Sequence, residues 1–267
     1  MTRTALVTGA SGAFGSATRA ELRSRGWRVA GIDLKPDPGD PDVVACDLTD
    51  DDAVPAAVAE AVERLGGRLD ALVNNAGVGG PASAGRPPDE HVRRMLDVNL
   101  LAAWRVTAAA IDRLVESRGR VVMVASRMAF IGLPLGAAYG VSKRALTAYA
   151  DALRAEYSTH VSVTCVHPAF VRTPIHARTR EAGLRLEGFS REEPLERVVS
   201  AIVRACESPR PPRDLAVTRA GGLQLAIARH LPGLVDRVVA RTLARRVAAG
   251  ELDGAELAAG LRARQQR

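Results

Sequence analysis

Residues 119–144 read GRVVMVASRMAFIGLPLGAAYGVSKR, and the fold and the function are both predicted from this stretch outward. Its Val-rich run, 120–125, is typical of a short buried strand, and the Ala- and Leu-rich segment 137–157 predicts a helix. Tyr139 and Lys143 are four residues apart on that helix, so their side chains share one face. Ser126 follows the strand directly, and a short loop would bring its hydroxyl close to the phenol and the ammonium.

These three side chains predict acid–base chemistry. A positive charge beside a phenol favours the phenolate, so we expect Lys143 to lower the pKa of Tyr139 from its ordinary value of about 10. A phenol tuned in this way exchanges a proton with a reacting oxygen, which the Ser126 hydroxyl would hold in place. The alternative is that Tyr139 packs in the core while Lys143 lies in solvent. An isolated Tyr–Lys pair at this spacing favours that alternative, so the rest of the chain has to decide.

A Gly-rich turn, Thr8-Gly9-Ala10-Ser11-Gly12-Ala13-Phe14-Gly15, follows the first predicted strand and precedes a helical pattern. In this context the bare backbone comes close to a pyrophosphate, and the helix N-terminus offers free N–H groups. The spacing is G-x-x-G-x-x-G instead of the commoner G-x-G-x-x-G, so the motif alone is a weak indication. The turn nevertheless predicts a dinucleotide-binding site at the start of the chain.

Asp33 stands at the end of the second predicted strand, where its carboxylate can accept hydrogen bonds from a ribose diol. The same negative charge repels a 2′-phosphate, so it favours NAD over NADP. Lys35 is close enough to soften this preference, and NADP is kept as the alternative cofactor. Asp47 and Leu48 follow the third predicted strand, where they could contact an adenine ring.

Strands and helices alternate along the chain. The predicted strands occupy 4–7, 27–32, 43–46, 69–73, 120–125, 161–166 and 214–217, and the predicted helices lie between them at 51–65, 89–117, 137–157 and 192–207. This alternation predicts an α/β fold, a Rossmann-type doubly wound parallel sheet with helices on both faces in three layers. We expect one NAD(P)-binding catalytic domain over 1–220, with a substrate lid at 170–190, and a C-terminal helical extension of that domain over 221–267.

The composition excludes several classes of protein. The chain carries a net charge of +7, but only 3% of its residues are aromatic, so no stacking platform accompanies the arginines and we expect no nucleic-acid partner. Its three cysteines are widely spaced and predict neither a disulfide framework nor a metal site. With no apolar leader after Met1, we expect a cytoplasmic protein.

Taken together, the motifs have the order and spacing of a known family. The chain resembles the single-domain branch of the short-chain dehydrogenase/reductase family from residue 3 to about 220. The resemblance is carried by Thr8-Gly9 with Gly12 and Gly15, Asn74-Asn75-Ala76-Gly77, Asn99, Ser126, and Tyr139 with Lys143. Two departures are Ala13, where the branch usually has its middle glycine, and Ala169, where it usually has glycine after proline.

The resemblance implies both a catalytic set and a cofactor site. Asn99, Ser126, Tyr139 and Lys143 would be catalytic, with Asn99 completing a proton relay through water. The cofactor would contact Gly9, Ser11, Gly12, Phe14, Gly15, Asp33, Asp47, Leu48, Asn75, Ala76, Gly77, Tyr139, Lys143, Pro168, Ala169, Val171 and Thr173.

The implied reaction is hydride transfer between NAD(P) and a secondary alcohol or ketone. The segments that would contact the substrate, 127–136 and 174–189, are apolar and suggest a bulky apolar molecule, and we expect a homodimer or homotetramer. One alternative is a non-catalytic NAD(P)-sensing or regulatory protein of the same fold, against which the intact Ser, Tyr, Lys and Asn argue. The other is an NADPH-dependent carbonyl reductase, which Asp33 disfavours.

Residues 220–247 have no role in these motifs. Their apolar side chains fall mainly on one helical face, interrupted by Pro232-Gly233, and arginines lie mainly elsewhere. Three interpretations are open: a wall of the substrate pocket, an oligomer contact, or contact of 223–247 with a membrane surface. Amphipathic helices most often pack against their own protein, so packing or an oligomer contact is favoured over the membrane.

Overall fold

A computed structural model of the protein describes residues 2–184 and 192–265. Its centre is a sheet of seven parallel strands in the order β3-β2-β1-β4-β5-β6-β7. The strands are β1 (Thr4–Thr8), β2 (Arg28–Asp33), β3 (Val43–Ala45), β4 (Ala71–Asn74), β5 (Arg120–Val124), β6 (Ser162–His167) and β7 (Asp214–Ala216). The order reverses between β1 and β4, which makes the sheet doubly wound. The predicted fold class is confirmed.

Helices cover both faces of this sheet. They are α1 (Ala13–Ser24), α2 (Ala53–Arg64), α3 (Glu90–Leu96), α4 (Ala102–Ser117), α5 (Ala137–Tyr157), α6 (Ala177–Glu181), α7 (Leu195–Glu207), α8 (Arg219–His230), α9 (Pro232–Ala248) and α10 (Ala259–Gln265). The apolar residues of α2, α4 and α5 form one core cluster with the sheet, and those of α1 and α7 form a second cluster on the other face.

Alternation along each strand explains the two clusters. Successive side chains of a strand point to opposite faces, so a strand covered on both sides is apolar throughout. In β5, Val121 and Met123 join the first cluster, whereas Val122 and Val124 join the second. The unbroken Val-rich run of the sequence is therefore the pattern of a central strand.

The predicted helix at 89–117 is not continuous. It consists of α3, a π-helical turn at Asp97–Leu101 and α4. Asn99 sits in that turn, and its side chain bonds to both main-chain groups of Val78 instead of facing solvent. A wider turn of this kind occurs mostly as a single insertion in a helix, often at functional sites.

The predicted C-terminal extension is helical. Helix α8 ends at His230 and α9 begins at Pro232, so the extension is interrupted close to the predicted position. Its apolar residues Leu243 and Leu252 pack with Leu135 and Leu184 in a third core cluster. Part of the predicted lid, 185–190, lies outside the described residues. Pro174–His176 forms a 3-10 turn that leads directly into α6. Within the described part of the chain, no helix has the length and hydropathy needed to cross a membrane.

Candidate active site

A cavity of about 1130 Å³ opens at the carboxyl ends of the central strands. Parallel strands place the residues that follow them at one edge of the sheet, which is where ligands bind in open α/β folds. Most of the predicted site residues line this cavity: Gly9, Gly12, Phe14, Asp33, Asp47, Leu48, Asn75, Ala76, Gly77, Ser126, Tyr139, Lys143, Pro168, Ala169, Val171 and Thr173. Ser11, Gly15 and Asn99 are absent from its lining.

The Gly-rich turn is built by close packing of its own backbone. Gly9 has a φ of +62°, a conformation that residues with a side chain rarely adopt. A Cβ on Gly15 would lie 2.0 Å from the carbonyl oxygen of Gly9, so this glycine is needed where α1 passes beneath the turn. Gly12 caps α1, and a Cβ there would come no closer than 3.3 Å to the Gly9 oxygen. The first-turn N–H groups of α1 lack helical partners, so the cavity wall can receive an anion.

The carboxylate of Asp33 stands at the entrance to this turn. Its Oδ2 accepts a hydrogen bond from the Ser11 N–H at 3.0 Å, and its Oδ1 accepts one from the Lys35 N–H at 3.0 Å. Ser11 thus contributes its amide to the support of Asp33 instead of to the cavity lining. The carboxylate is fixed at the end of β2, with the half-buried exposure that a hydrogen bond to a ligand requires.

Thr8 joins the Gly-rich turn to the loop that follows β4. Its hydroxyl oxygen accepts hydrogen bonds from the N–H groups of Asn75 and Ala76, both at 3.0 Å. The Asn75 side chain in turn donates to the Thr8 carbonyl at 2.9 Å. These three hydrogen bonds, all accepted by Thr8, hold Ala76 and Gly77 in the cavity wall. A Cβ on Gly77 would lie 3.2 Å from Asn99 Oδ1 and 3.5 Å from Lys143 Nζ, so a small residue suits this position.

Asn99 supports the site from behind. Its Oδ1 accepts the Val78 N–H at 2.8 Å, and its Nδ2 donates to the Val78 carbonyl and to Ser142 Oγ, both at 3.0 Å. Ser142 donates to the carbonyl of Tyr139 at 2.8 Å. The Asn99 side chain is therefore engaged in holding the β4 loop against α5, and a part for this residue in a proton relay stays a prediction.

Ser126, Tyr139 and Lys143 meet in the cavity as predicted from their spacing. Ser126 Oγ accepts the Met128 N–H at 3.1 Å and is also hydrogen-bonded to the Tyr139 phenol. Lys143 is buried, with 3% of its surface exposed, and its Nζ donates to the Val124 carbonyl at 2.9 Å. That Nζ lies 5.8 Å from the centroid of the Tyr139 ring.

The predicted lowering of the Tyr139 pKa is wrong for the protein chain by itself. Desolvation raises the pKa of this phenol to about 12, and the hydrogen bond with Ser126 opposes the rise only in part. Burial also lowers the pKa of Lys143 to about 8. Both shifts have one cause, because a poorly solvated site disfavours the charged form of either group. Tyr139 is thus a neutral phenol at physiological pH, the form that can give a proton to an oxygen.

An ion pair that the sequence did not predict braces the loop after β6. Arg127 lies 3.4 Å from Glu193, and both side chains are buried. Glu193 also accepts the Ala169 N–H at 2.8 Å, while the Arg127 N–H donates to the Pro168 carbonyl at 3.0 Å. These contacts hold the predicted nicotinamide loop next to Ser126. Breaking the ion pair would be costly, because it would leave an uncompensated buried charge.

The C-terminal extension forms a wall of the cavity, one of the three interpretations that the sequence left open. The lining side chains of α8 and α9 are mostly apolar: Gln224, Ile227, Leu234, Val235, Val238, Val239 and Thr242. The Gln224 side chain also accepts a hydrogen bond from Arg127. The extension is therefore continuous with the site that contains Ser126.

A second cluster missed by sequence reasoning lies directly behind Ser126. Potential ligand atoms of Cys165, His167 and Asp214 are within 4.8 Å of one another. Asp214 is paired with Arg229 at 2.6 Å, and burial raises the pKa of the Cys165 thiol to about 11. A guanidinium on the carboxylate and an un-ionised thiol both oppose a metal ion. The cluster is better described as an ion-pair network.

Comparisons with known proteins agree on the family. The family model described as short chain dehydrogenase matches residues 3–183. An uncharacterised oxidoreductase of Myxococcus xanthus is 36% identical over 196 residues, which are 66% of this chain and 74% of that protein. A protein of Streptomyces virginiae, named as a ketoacyl reductase of the monensin polyketide synthase, is 34% identical over 195 residues, 67% of this chain and 74% of that protein.

The architecture is also found among solved structures. A short chain dehydrogenase of Burkholderia cenocepacia in complex with NADP is similar with a TM-score of 0.75, over 89% of this chain and 97% of that one. Its sequence identity is 22%, so this likeness concerns the fold alone.

Burial of Lys143 generates a prediction that needs no substrate. The chain has two lysines, Lys143 in the cavity wall and Lys35 on the surface. In protein carrying ¹³C at the lysine Cε positions, the NMR signal of Lys143 should titrate with a pKa of about 8, because burial disfavours its ammonium. Lys35 is the internal reference in the same spectra, and Lys143→Met assigns the signal. Two superimposable titration curves would contradict the burial of this charge.

Proposed function

This chain belongs to the short-chain dehydrogenase family, and we propose that it interconverts a secondary alcohol and a ketone by hydride transfer with a nicotinamide cofactor. The observation that carries the proposal is convergence. Ser126, Tyr139 and Lys143 line the same cavity as the Gly-rich turn and Asp33, although they come from distant parts of the chain. A non-catalytic binding protein has no need of a phenol hydrogen-bonded to a serine in such a cavity.

The residues of the cavity suit a dinucleotide. Gly9 and Gly12 line the cavity at the N-terminus of α1, where a pyrophosphate would accept hydrogen bonds from the first-turn N–H groups. The ammonium of Lys143 has three donors, one of which is bound to Val124, so others are available for ribose hydroxyls. Pro168, Ala169, Val171 and Thr173 would border the nicotinamide, as the family resemblance implies.

The proposed reaction assigns a separate step to each side chain. The nicotinamide, when bound, supplies or accepts the hydride. During reduction, the Tyr139 phenol gives its proton to the carbonyl oxygen, and solvent restores that proton after the alcohol leaves. Ser126 donates a hydrogen bond to the same oxygen and fixes its distance from the phenol. In the oxidising direction Tyr139 has to act as a base, and the positive charges of Lys143 and of oxidised nicotinamide both favour the phenolate that this requires.

The substrate is proposed to be bulky and apolar. The cavity lining includes Arg94 and His176, but it also carries a large set of apolar side chains: Met128, Ile131, Leu133, Ile175, Ile227, Leu234, Val235, Val238 and Val239. Burial of an apolar molecule there would be favourable by about 25 cal/mol for each Å² removed from water. The name of the Streptomyces virginiae relative, a ketoacyl reductase, supports a carbonyl as the reacting group.

A homo-oligomer is proposed from an exposed face formed by the end of the π-helical turn, α4 and α5. Leu101, Trp104 and Val141 are 42%, 51% and 58% exposed, although each is a large apolar side chain. The Trp104 ring stacks on Tyr149 at 4.4 Å, which fixes its indole against α5. Large exposed apolar patches often mark protein contacts. A second copy of this chain would remove the face from water.

Tyr139→Phe tests the proposed reaction, once a panel of apolar ketones and alcohols has identified a substrate. The variant keeps the aromatic ring and removes the proton donor, so kcat should fall by about 10²–10⁴, the range for general acid–base groups. NADH should bind as tightly as before in fluorescence titration.

Tyr157→Phe, at the far end of α5, is the matched control and should keep wild-type turnover. An unchanged kcat in a folded Tyr139→Phe protein would mean that the phenol is structural.

Asp33 generates the prediction on cofactor choice. The wild-type protein should have a higher kcat/KM for NADH than for NADPH, because the carboxylate repels a 2′-phosphate. Asp33→Asn keeps an oxygen that can accept the Ser11 N–H and removes the charge, so the preference should narrow by about tenfold, which corresponds to about 1.4 kcal/mol. Asp37→Asn, on the surface of the following loop, should leave the ratio unchanged. A wild-type preference for NADPH would refute the assignment.

A further inference from the structure

The residues after β5 are attached by three successive contacts to the last two residues of β6 and to Pro168, which follows them. Two of them are between main-chain groups: Ala125 N–H donates to the Val166 carbonyl at 2.9 Å, and Arg127 N–H donates to the Pro168 carbonyl at 3.0 Å. The residue between them, Ser126, has its carbonyl 3.2 Å from Nδ1 of the His167 side chain. This imidazole therefore continues the strand pairing past the end of the sheet, at the residue whose hydroxyl faces the cavity.

Both hydrogen-bond partners of His167 are acceptors. Nδ1 faces the Ser126 carbonyl, and Nε2 lies 2.8 Å from Oδ1 of Asp214. Burial opposes ionisation of Asp214, but hydrogen bonds from His167 and Arg229 outweigh it and hold the pKa of this carboxyl well below its usual range. A neutral imidazole carries one N–H and can satisfy only one of these acceptors, whereas an imidazolium carries two and satisfies both.

We propose that His167 is an imidazolium that positions Ser126, with Asp214 and Arg229 completing the network that holds it. The inference rests on the proposed function only in giving Ser126 a task in hydride transfer. His167 touches neither the cavity nor the reacting atoms, so it acts through the backbone of Ser126.

The surroundings of His167 can support this charge. The ring is fully buried, and its Nε2 is in direct contact with the Asp214 carboxylate, which it shares with Arg229. The aromatic ring of Phe130 packs 5.7 Å from the imidazole. The other charged groups around this network include Arg229 at 2.6 Å and Arg213 at 3.6 Å from Asp214, and Asp151, which is paired with Arg213 at 2.6 Å and also with Arg154. The Cys165 thiol accepts a hydrogen bond from Arg154 at 3.6 Å, and the Arg144 guanidinium lies 4.4 Å from the centroid of the Phe130 ring.

A fixed carbonyl determines where the Ser126 hydroxyl can go. The carbonyl oxygen accepts from His167 and from the Ala129 N–H at 3.1 Å, which uses both of its lone pairs. Ser126 Oγ accepts from Met128, so its own hydrogen is directed to the phenol or to a substrate oxygen. Because Arg229 belongs to α8, the network also ties the cavity wall that holds the substrate to the residue that orients it.

Two substitutions of His167 separate its two contacts. The Asn amide nitrogen occupies a position like that of Nδ1, so His167→Asn keeps the donor to Ser126 and loses the bond to Asp214. The Gln amide nitrogen is placed like Nε2, so His167→Gln keeps the bond to Asp214 and loses the donor to Ser126. We expect kcat to fall by about 10- to 100-fold in His167→Gln, because small displacements of an orienting group cost up to about 10²-fold. His167→Asn should stay within about threefold of wild type, and the KM for NADH should change in neither.

Two further measurements do not depend on turnover. The ring nitrogens of His167, identified by the loss of their ¹⁵N NMR signals in His167→Asn, should both show the imidazolium pattern at neutral pH. Hydrogen–deuterium exchange of a peptide covering 126–131 should quicken in His167→Gln and not in His167→Asn. The proposal is overturned by a neutral tautomer, or by equal effects of the two variants on kcat and exchange. If the wild-type protein turns over no substrate, the proposed function fails, and the NMR and exchange results still decide the role of His167.

Discussion

The buried ammonium of Lys143 is the constraint on which the rest of the site depends. A charge withdrawn from water is costly unless hydrogen bonds replace its hydration, and the lowered pKa of this group is the sign of that cost. The bond to the Val124 carbonyl anchors α5 to the last residue of β5. The same hydrogen bond places Tyr139, one helical turn earlier, opposite Ser126. It also favours glycine at position 77, where a larger residue would crowd the ammonium. The hydroxyl groups of a bound ribose would accept hydrogen bonds from the ammonium and so replace part of the hydration that it loses on burial.

The parallel sheet brings the residues of the site together. Every strand ends at the same edge, so short loops after β1, β4, β5 and β6 bring residues from distant parts of the sequence into one cavity. Side chains lock these loops to one another: Thr8 joins the first two, and Arg127 and Glu193 brace the loop after β6. The cost of this arrangement is burial of several charges, and each described one is met by an opposite charge or a main-chain carbonyl. The loops of the site are therefore bonded to one another in the protein chain alone.

Much of the fold could be predicted from local patterns in the sequence, and so could the Gly-rich turn, Asp33, Ser126, Tyr139 and Lys143. The other predicted residues of the cavity lining, such as Asn75 and Pro168, came from the family resemblance. Three features can be recognised from the sequence without knowing which residues they contact in the fold: the Val-rich run of β5, the glycines of the first turn, and the four-residue spacing of Tyr139 and Lys143. The π-helical turn was not predicted: its Asn99 side chain is hydrogen-bonded to both main-chain groups of Val78, a contact with another part of the fold that helical periodicity does not reveal. The predicted direction of the Tyr139 pKa shift was wrong for a related reason. The spacing identifies the neighbouring charge, but burial is the dominant effect on this pKa, and burial is a property of the folded protein. His167 and Asp214 are 47 residues apart and belong to no periodic pattern, so their contact left no signal in the chain.

Direct hydride transfer at the Tyr139 site is the central claim, and isotope transfer tests it most directly. A ketone that the protein reduces should be incubated in ordinary water with NADH carrying deuterium at C4 on the face that is transferred, and the product alcohol analysed by mass spectrometry and NMR. Direct transfer predicts one deuterium on the carbinol carbon of every product molecule, with the hydroxyl hydrogen taken from water. A product whose carbinol hydrogen comes from water, with the deuterium lost to solvent, would contradict it.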